Sequence, residues 1–175
     1  MIHTHGNIRA LLLCGLFLCA GCERAAVVDV ERVVERVDAP APTLPPPCED
    51  RKHDAGVLAA PAPGAPGEVE VLIFSSDWCD ACDRVLADFS ARAGEFSARG
   101  VGVRHLITQS DGSCVRAATV GRRAPFIYHA LAAGEEARWA IRSTPTIWVT
   151  RENRARLYIE GEISAEELFE VLPSE

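Results

Sequence analysis

The chain has 175 residues, 48% apolar and 25% charged, globular proportions that leave room for one ordinary domain and some extra length. Its formal net charge of -7 excludes a simple electrostatic grip on nucleic acid, whose phosphates want a basic surface. Seven cysteines are too few for a small disulfide scaffold, so their positions carry more information than their number.

Among residues 1–22 Arg9 is the only Lys or Arg and no Asp or Glu occurs, with the apolar run 10–20 behind it. That run is too short to cross a bilayer, which needs about 20 residues as a helix, and it reads as a secretory signal. Its end, Leu18-Cys19-Ala20-Gly21-Cys22, resembles the bacterial lipoprotein signal, although Cys19 stands where that signal usually has Leu. The resemblance implies a signal peptide over 1–21 and a diacylated Cys22 as the mature N-terminus, where two acyl chains give stable membrane attachment. The alternatives are a plain signal with an incidental Cys22 and an uncleaved anchor. The mature chain is then expected in a bacterial extracytoplasmic, oxidising space, facing the periplasm. It is one unit more acidic, and it keeps Cys22, Cys48, Cys79, Cys82 and Cys114.

Residues 22–67 read as a lipid-anchored, Val- and Pro-rich tether. Val27, Val30, Val34 and Val37 share one helical face, yet β-branched residues equally suit an extended segment. Two proline-rich stretches, 40–47 and 59–67, favour stiff polyproline geometry and suit a spacer.

From Glu68 the texture changes, and 68–175 reads as the domain. Val69 to Phe74 form an apolar run with the character of a buried strand. Val85, Leu86, Phe89, Ala93 and Phe96 then recur at helical spacing over 79–98, and Gly100 ends that helix. A second strand is expected over 101–107. The stretch 113–142 looks mainly helical, with breaks at Gly121, Pro125 and Gly134. Strands follow over 146–150 and 156–160. A last helix has Ser164 and Glu167 as a capping box and Leu168, Phe169 and Leu172 inward. The order β-α-β-α-β-β-α implies parallel pairing of the first two strands and an antiparallel hairpin of the last two.

Trp78-Cys79-Asp80-Ala81-Cys82 lies where the first strand gives way to the first helix. Unpaired backbone N–H groups and the positive end of the helix dipole favour the Cys79 thiolate there. Cys79 is the candidate nucleophile on a partner disulfide, Cys82 resolves the mixed disulfide, and Trp78 stands at the rim. A Cys-x-x-Cys alone is also half a zinc site, but Cys48, Cys114, His53, His105 and His129 offer no second close pair.

A second element lies in Arg142-Ser143-Thr144-Pro145-Thr146, which puts a proline at the mouth of a strand, where no ladder N–H is needed. With both elements in this order, residues 68–172 resemble the thioredoxin family. The resemblance implies an α/β fold: a thioredoxin-like central mixed sheet flanked by helices, with a helical insertion around 108–134 before the cis-proline strand. It also implies a cis Pro145 beside the redox-active disulfide of Cys79 and Cys82, with Thr144 receiving substrate backbone. The activity implied is thiol-disulfide exchange with protein thiols or disulfides, served by an unknown redox partner, in a monomer with no cofactor and no metal.

Three departures qualify what carries over. Asp-Ala replaces the family's Gly-Pro between the cysteines, and the Asp80 charge opposes the thiolate, which leans toward a more reducing couple. Ile73 replaces the family's buried acid, so the proton of Cys82 needs another group or water; Arg104 and His105 are candidates whose facing the periodicity leaves open. The segment between Cys82 and Pro145 is longer than in the smallest members. It contains Cys114, and in an oxidising compartment a structural Cys48–Cys114 disulfide is expected, against the alternative that one of the two relays electrons. His129, placed within an apolar helix, reads as a packing residue. A metal-binding or copper-delivery module on the same fold, with Cys79 and Cys82 as soft ligands, is the competing functional reading. A structural lipoprotein with an inert Cys79–Cys82 bond is a third.

Overall fold

A computed structural model describes residues 33–48 and 68–172. The expected signal peptide, Cys22 and most of the expected tether lie outside the described residues.

The apolar runs form a six-stranded mixed sheet in the order β1-β6-β5-β2-β3-β4. The strands are β1 (Val33–Pro40), β2 (Val69–Ser75), β3 (Val101–Ile107), β4 (Ile127–Ala130), β5 (Thr146–Arg151) and β6 (Arg154–Glu160). β2, β3 and β4 run parallel to one another, whereas β5 is antiparallel to β2, β6 to β5 and β1 to β6. The helices are α1 (Asp80–Ala91), α2 (Ala93–Ala98), α3 (Cys114–Gly121), α4 (Glu135–Arg138) and α5 (Ala165–Val171).

Alternation along the strands splits the core in two. Val71, Ile73, Val103, Ile147, Val149 and Ile159 pack with Val85, Leu86 and Phe89 of α1, Phe96 of α2 and Leu168 of α5. On the opposite face Leu72, Phe74, Leu106, Trp148 and Tyr158 pack with Leu131 and Trp139. The expected hairpin is present, and Glu152 and Asn153 turn it with φ of 53° and 58°, the paired positive φ values that match strand twist. The Ser164–Glu167 capping box opens α5.

Three expectations about the elements change. The long helix over 79–98 divides at Arg92 (φ -104°, ψ 15°), which brings Phe89 and Phe96 to a ring separation of 5.2 Å in one core. The stretch 113–142 is not mainly helical. α3 ends at Gly121, ahead of Pro125, which cannot donate to a renewed helix, and the β-prone residues Ile127 to His129 instead complete the open edge of β3. His129 therefore lies on a strand, and the segment 108–134 contributes α3 and β4 together. Part of the expected tether is also folded. Val33–Pro40 pairs with β6, where Asp38 accepts from Arg154 at 2.8 Å and Arg156 at 2.9 Å. Residues 41–48 then cross the second face with Ala41 and Leu44 against its core, so the folded unit begins well before Glu68.

Close packing of α3 on β4 leaves one glycine no alternative. A Cβ on Gly121 would run into the Tyr128 ring. Gly121→Ala is expected to destabilise the protein by about 1–3 kcal/mol by overpacking, read as a lower midpoint in denaturant unfolding; an unchanged midpoint would mean that the ring gives way freely.

Candidate active site

β2 ends at Ser75, and four residues later Cys79 serves as N-cap of α1. Its φ of -99° and ψ of 94° are the extended values of a cap, and its Sγ accepts a hydrogen bond from the Cys82 backbone N at 3.1 Å. Cys79 and Cys82 form a disulfide with Cα atoms 5.2 Å apart. Cys79 is 5% exposed and Cys82 is fully buried, so the first sulfur is the one a partner can reach. Asp80 and Asp83 occupy the first turn, where acids suit the helix dipole but oppose a second negative charge on sulfur. Asp83 is neutralised by Arg123 at 2.6 Å.

Trp78 is 65% exposed at the rim. Its indole Nε1 donates to the Gln109 side chain at 3.1 Å. Gln109, at φ 58°, is itself held by its backbone N donating to Glu136 at 2.7 Å. A chain of bonds thus runs from the rim through the loop after β3 to α4. Gln109 and Glu136 carried no motif or spacing signal in the sequence, since their role comes from long-range loop geometry.

The Thr144–Pro145 peptide bond is cis. Thr146 is opposite Phe74 in the β2–β5 ladder, and the Thr144 and Ser76 hydroxyls are 3.0 Å apart. These contacts bring the segment to the end of β2 that carries the cysteine pair. Pro145 is buried, and its carbonyl accepts from Gly161 N at 2.9 Å.

The facing of the two β3 candidates is now defined. Arg104 lies on the face away from α1, with Nε donating to Glu70 at 2.6 Å. His105 is opposite Ile73 on the α1 face, fully buried and hydrogen-bonded through Nε2 to Ser75 Oγ. Burial first, and Arg123 second, push its imidazole down to about 3, so it is neutral over the physiological range.

Cys48 and Cys114 form a second disulfide, with Cα atoms 5.5 Å apart. Cys48 is buried with Ile107, Ala117, Val120 and Tyr128, while Cys114 is exposed in the first turn of α3. Nearby, His129 Nδ1 donates to the Pro45 carbonyl at 2.8 Å, and Cys48 N donates to Tyr128 O at 2.9 Å. Among the described residues no group of three or more His, Cys, Asp or Glu is gathered to hold a metal ion. No helix among them is long and apolar enough to cross a membrane.

This sheet, with helices on both sides and the Cys-x-x-Cys at a helix start, is a thioredoxin-like fold, shared with solved structures of modest sequence identity. One is StoA from Bacillus subtilis, with a TM-score of 0.50 and 20% identity over 61% of this chain and 83% of that one. Another is a putative thiol:disulfide interchange protein DsbE from Chlorobium tepidum, with a TM-score of 0.51 and 20% identity over 59% of this chain and 76% of that one. A thioredoxin-like protein from Aeropyrum pernix has a TM-score of 0.50 and 17% identity, covering 62% and 78%. No protein-family model and no curated protein sequence matches the chain.

Proposed function

We propose that the protein is an extracytoplasmic thiol-disulfide oxidoreductase that acts on protein substrates through Cys79 and Cys82. The observation that carries this reading is the Cys79–Cys82 disulfide at the N-cap of α1, with the Thr144–Pro145 segment held beside it. The description of one structural neighbour as a putative thiol:disulfide interchange protein supports it.

In the reducing direction, the Cys79 thiolate attacks a substrate disulfide. A Cys79–substrate bond forms, and one substrate sulfur leaves as a thiolate. Cys82 then attacks Cys79 Sγ, which releases the second substrate thiolate and closes the Cys79–Cys82 disulfide. A dithiol redox partner must restore the pair. Trp78 offers an apolar platform for the substrate chain, and Thr144 offers backbone contacts. The charge of Asp80 beside Cys79 disfavours the thiolate and tilts the couple toward a reductant. Attachment through lipid on Cys22 would keep this monomeric domain at the membrane surface. The anchor rests on the signal-like residues 18–22, outside the described residues.

Trapping tests the reading. In a Cys82→Ser variant the mixed disulfide has no resolving thiol, so extracytoplasmic proteins should accumulate on Cys79 and be released by dithiothreitol. If Cys82→Ser captures no more protein than the double variant that also lacks Cys79, the proposal fails.

A further inference from the structure

Cys82 is fully buried, yet exchange requires it to alternate between a protonated thiol and a disulfide sulfur. A thiolate stranded in such a place is costly, so a proton must be held close by. α1 buries Cys82, Val85, Leu86 and Phe89. The last three pack against Ile73 and Val103, which share a sheet face with His105. His105 is fully buried on that face, and it interacts with Asp83 in the first turn of α1, the residue after Cys82. Its Nε2 is bonded to Ser75 Oγ at the end of β2, whereas its Nδ1 is buried with no hydrogen-bond partner. An imidazole with one nitrogen paired and the other idle is poised to accept or donate a proton.

We propose that His105, acting with the Ser75 hydroxyl, holds and returns the proton of Cys82 during exchange. The inference rests on the thiol-disulfide reading above. When Cys82 resolves a mixed disulfide, its S–H proton passes to the imidazole. The thiolate attacks Cys79 Sγ, the Cys79–Cys82 bond forms, and the bond from Cys79 to the substrate sulfur breaks with that sulfur carrying away the electron pair; the imidazolium then gives its proton to water or to the departing thiolate and is neutral again. In the reverse direction Cys82 leaves as a thiolate and is protonated through the imidazole, which draws the proton from water. The groups around His105 are arranged to keep it neutral between these events. Arg123 disfavours the imidazolium, and Asp83, paired to Arg123, offsets part of that effect. His129 on β4 adds repulsion, and the neighbour opposite His105 on β4 is the Tyr128 phenol. A new anion at Cys82 is the change that would draw the proton on.

The test is a two-step reaction with oxidised glutathione, in the full-length chain with serine at positions 14, 19 and 22. Mass spectrometry of the peptide holding both site cysteines follows formation and resolution of the Cys79–glutathione disulfide. His105→Gln, which retains a hydrogen-bonding group but takes up no proton, should leave the first step unchanged and slow resolution roughly 100-fold at pH 7, within the usual range for a positioned proton acceptor. The deficit should narrow as pH rises, because hydroxide can then take the Cys82 proton in place of the imidazole. Ser75→Ala should slow resolution in the same direction, and it decides the matter if His105→Gln does not fold. A folded variant with the wild-type resolution rate and pH profile overturns the inference alone. A wild-type chain whose Cys79 takes up no glutathione overturns the underlying reading and the inference with it.

Discussion

Replacing Cys79 by serine is expected to reduce catalysed disulfide exchange to the background rate of the dithiol in solution while leaving the fold intact. Both halves follow from the position of the residue. Cys79 is the less buried sulfur of the pair and the one a partner disulfide can meet, so no mixed disulfide can form once its thiolate is gone. Serine has an almost unionised hydroxyl that does not attack disulfides. It is, however, a favoured N-cap residue, and its oxygen can accept from the Cys82 backbone N as the sulfur does now. The ring lost spans only 3 residues of sequence, so little chain entropy returns to the unfolded state. An insulin-reduction assay with dithiothreitol, beside a thermal melt, checks both claims. Wild-type turnover by the variant would remove Cys79 from the chemistry.

The second large effect concerns stability. Cys48 and Cys114 are separated by 66 residues, a loop whose closure restricts the unfolded chain strongly. Serine at both positions is expected to cost about 4 kcal/mol, which corresponds to a fall in Tm of roughly 10–20 °C for a domain of this size. Buried Cys48 would also become a hydroxyl among apolar side chains. Residues 41–48 are otherwise held by Ala41 N to Asn153 O at 2.9 Å, His129 Nδ1 to Pro45 O at 2.8 Å, Cys48 N to Tyr128 O, and the packing of Ala41 and Leu44 on the second face. Loss of the disulfide should therefore loosen this segment first, visible as faster amide exchange at position 48 and along β1. A double variant that melts within a degree or two of wild type would mean that the crosslink is idle. Activity per folded molecule is expected to persist, because the two disulfides serve different elements.

Much of the fold was legible because the elements that build it have strong local signals. The continuous apolar run of β2, the three-four spacing of α1 and the capping box of α5 each need only a short window of sequence. The site was legible for the same reason, since Trp78-Cys79-Asp80-Ala81-Cys82 and Thr144-Pro145 are compact motifs at element boundaries. Long-range pairing hid the rest. β4 has only four residues and follows a helix, so Ile127 to Ala130 becomes a strand because β3 has a free edge. Val33–Pro40 sits between charged and proline-rich residues, and only the exposed edge of β6 makes a strand of it. The break at Arg92 leaves the apolar spacing untouched, so periodicity could not register it. Gln109 and the facing of His105 depend on a loop conformation and on strand register, which composition does not encode.

The central claim is that Cys79 and Cys82 form a reversible redox pair in the folded protein. Its most direct test equilibrates the full chain in graded mixtures of reduced and oxidised dithiothreitol, alkylates the free thiols and weighs the peptides. The expected result is a single two-electron transition in which the peptide holding Cys79 and Cys82 gains both labels together and loses them on reoxidation, while Cys48–Cys114 stays closed. The opposite result is a Cys79–Cys82 bond that opens only when the protein unfolds, or that does not re-form, and it would contradict the account.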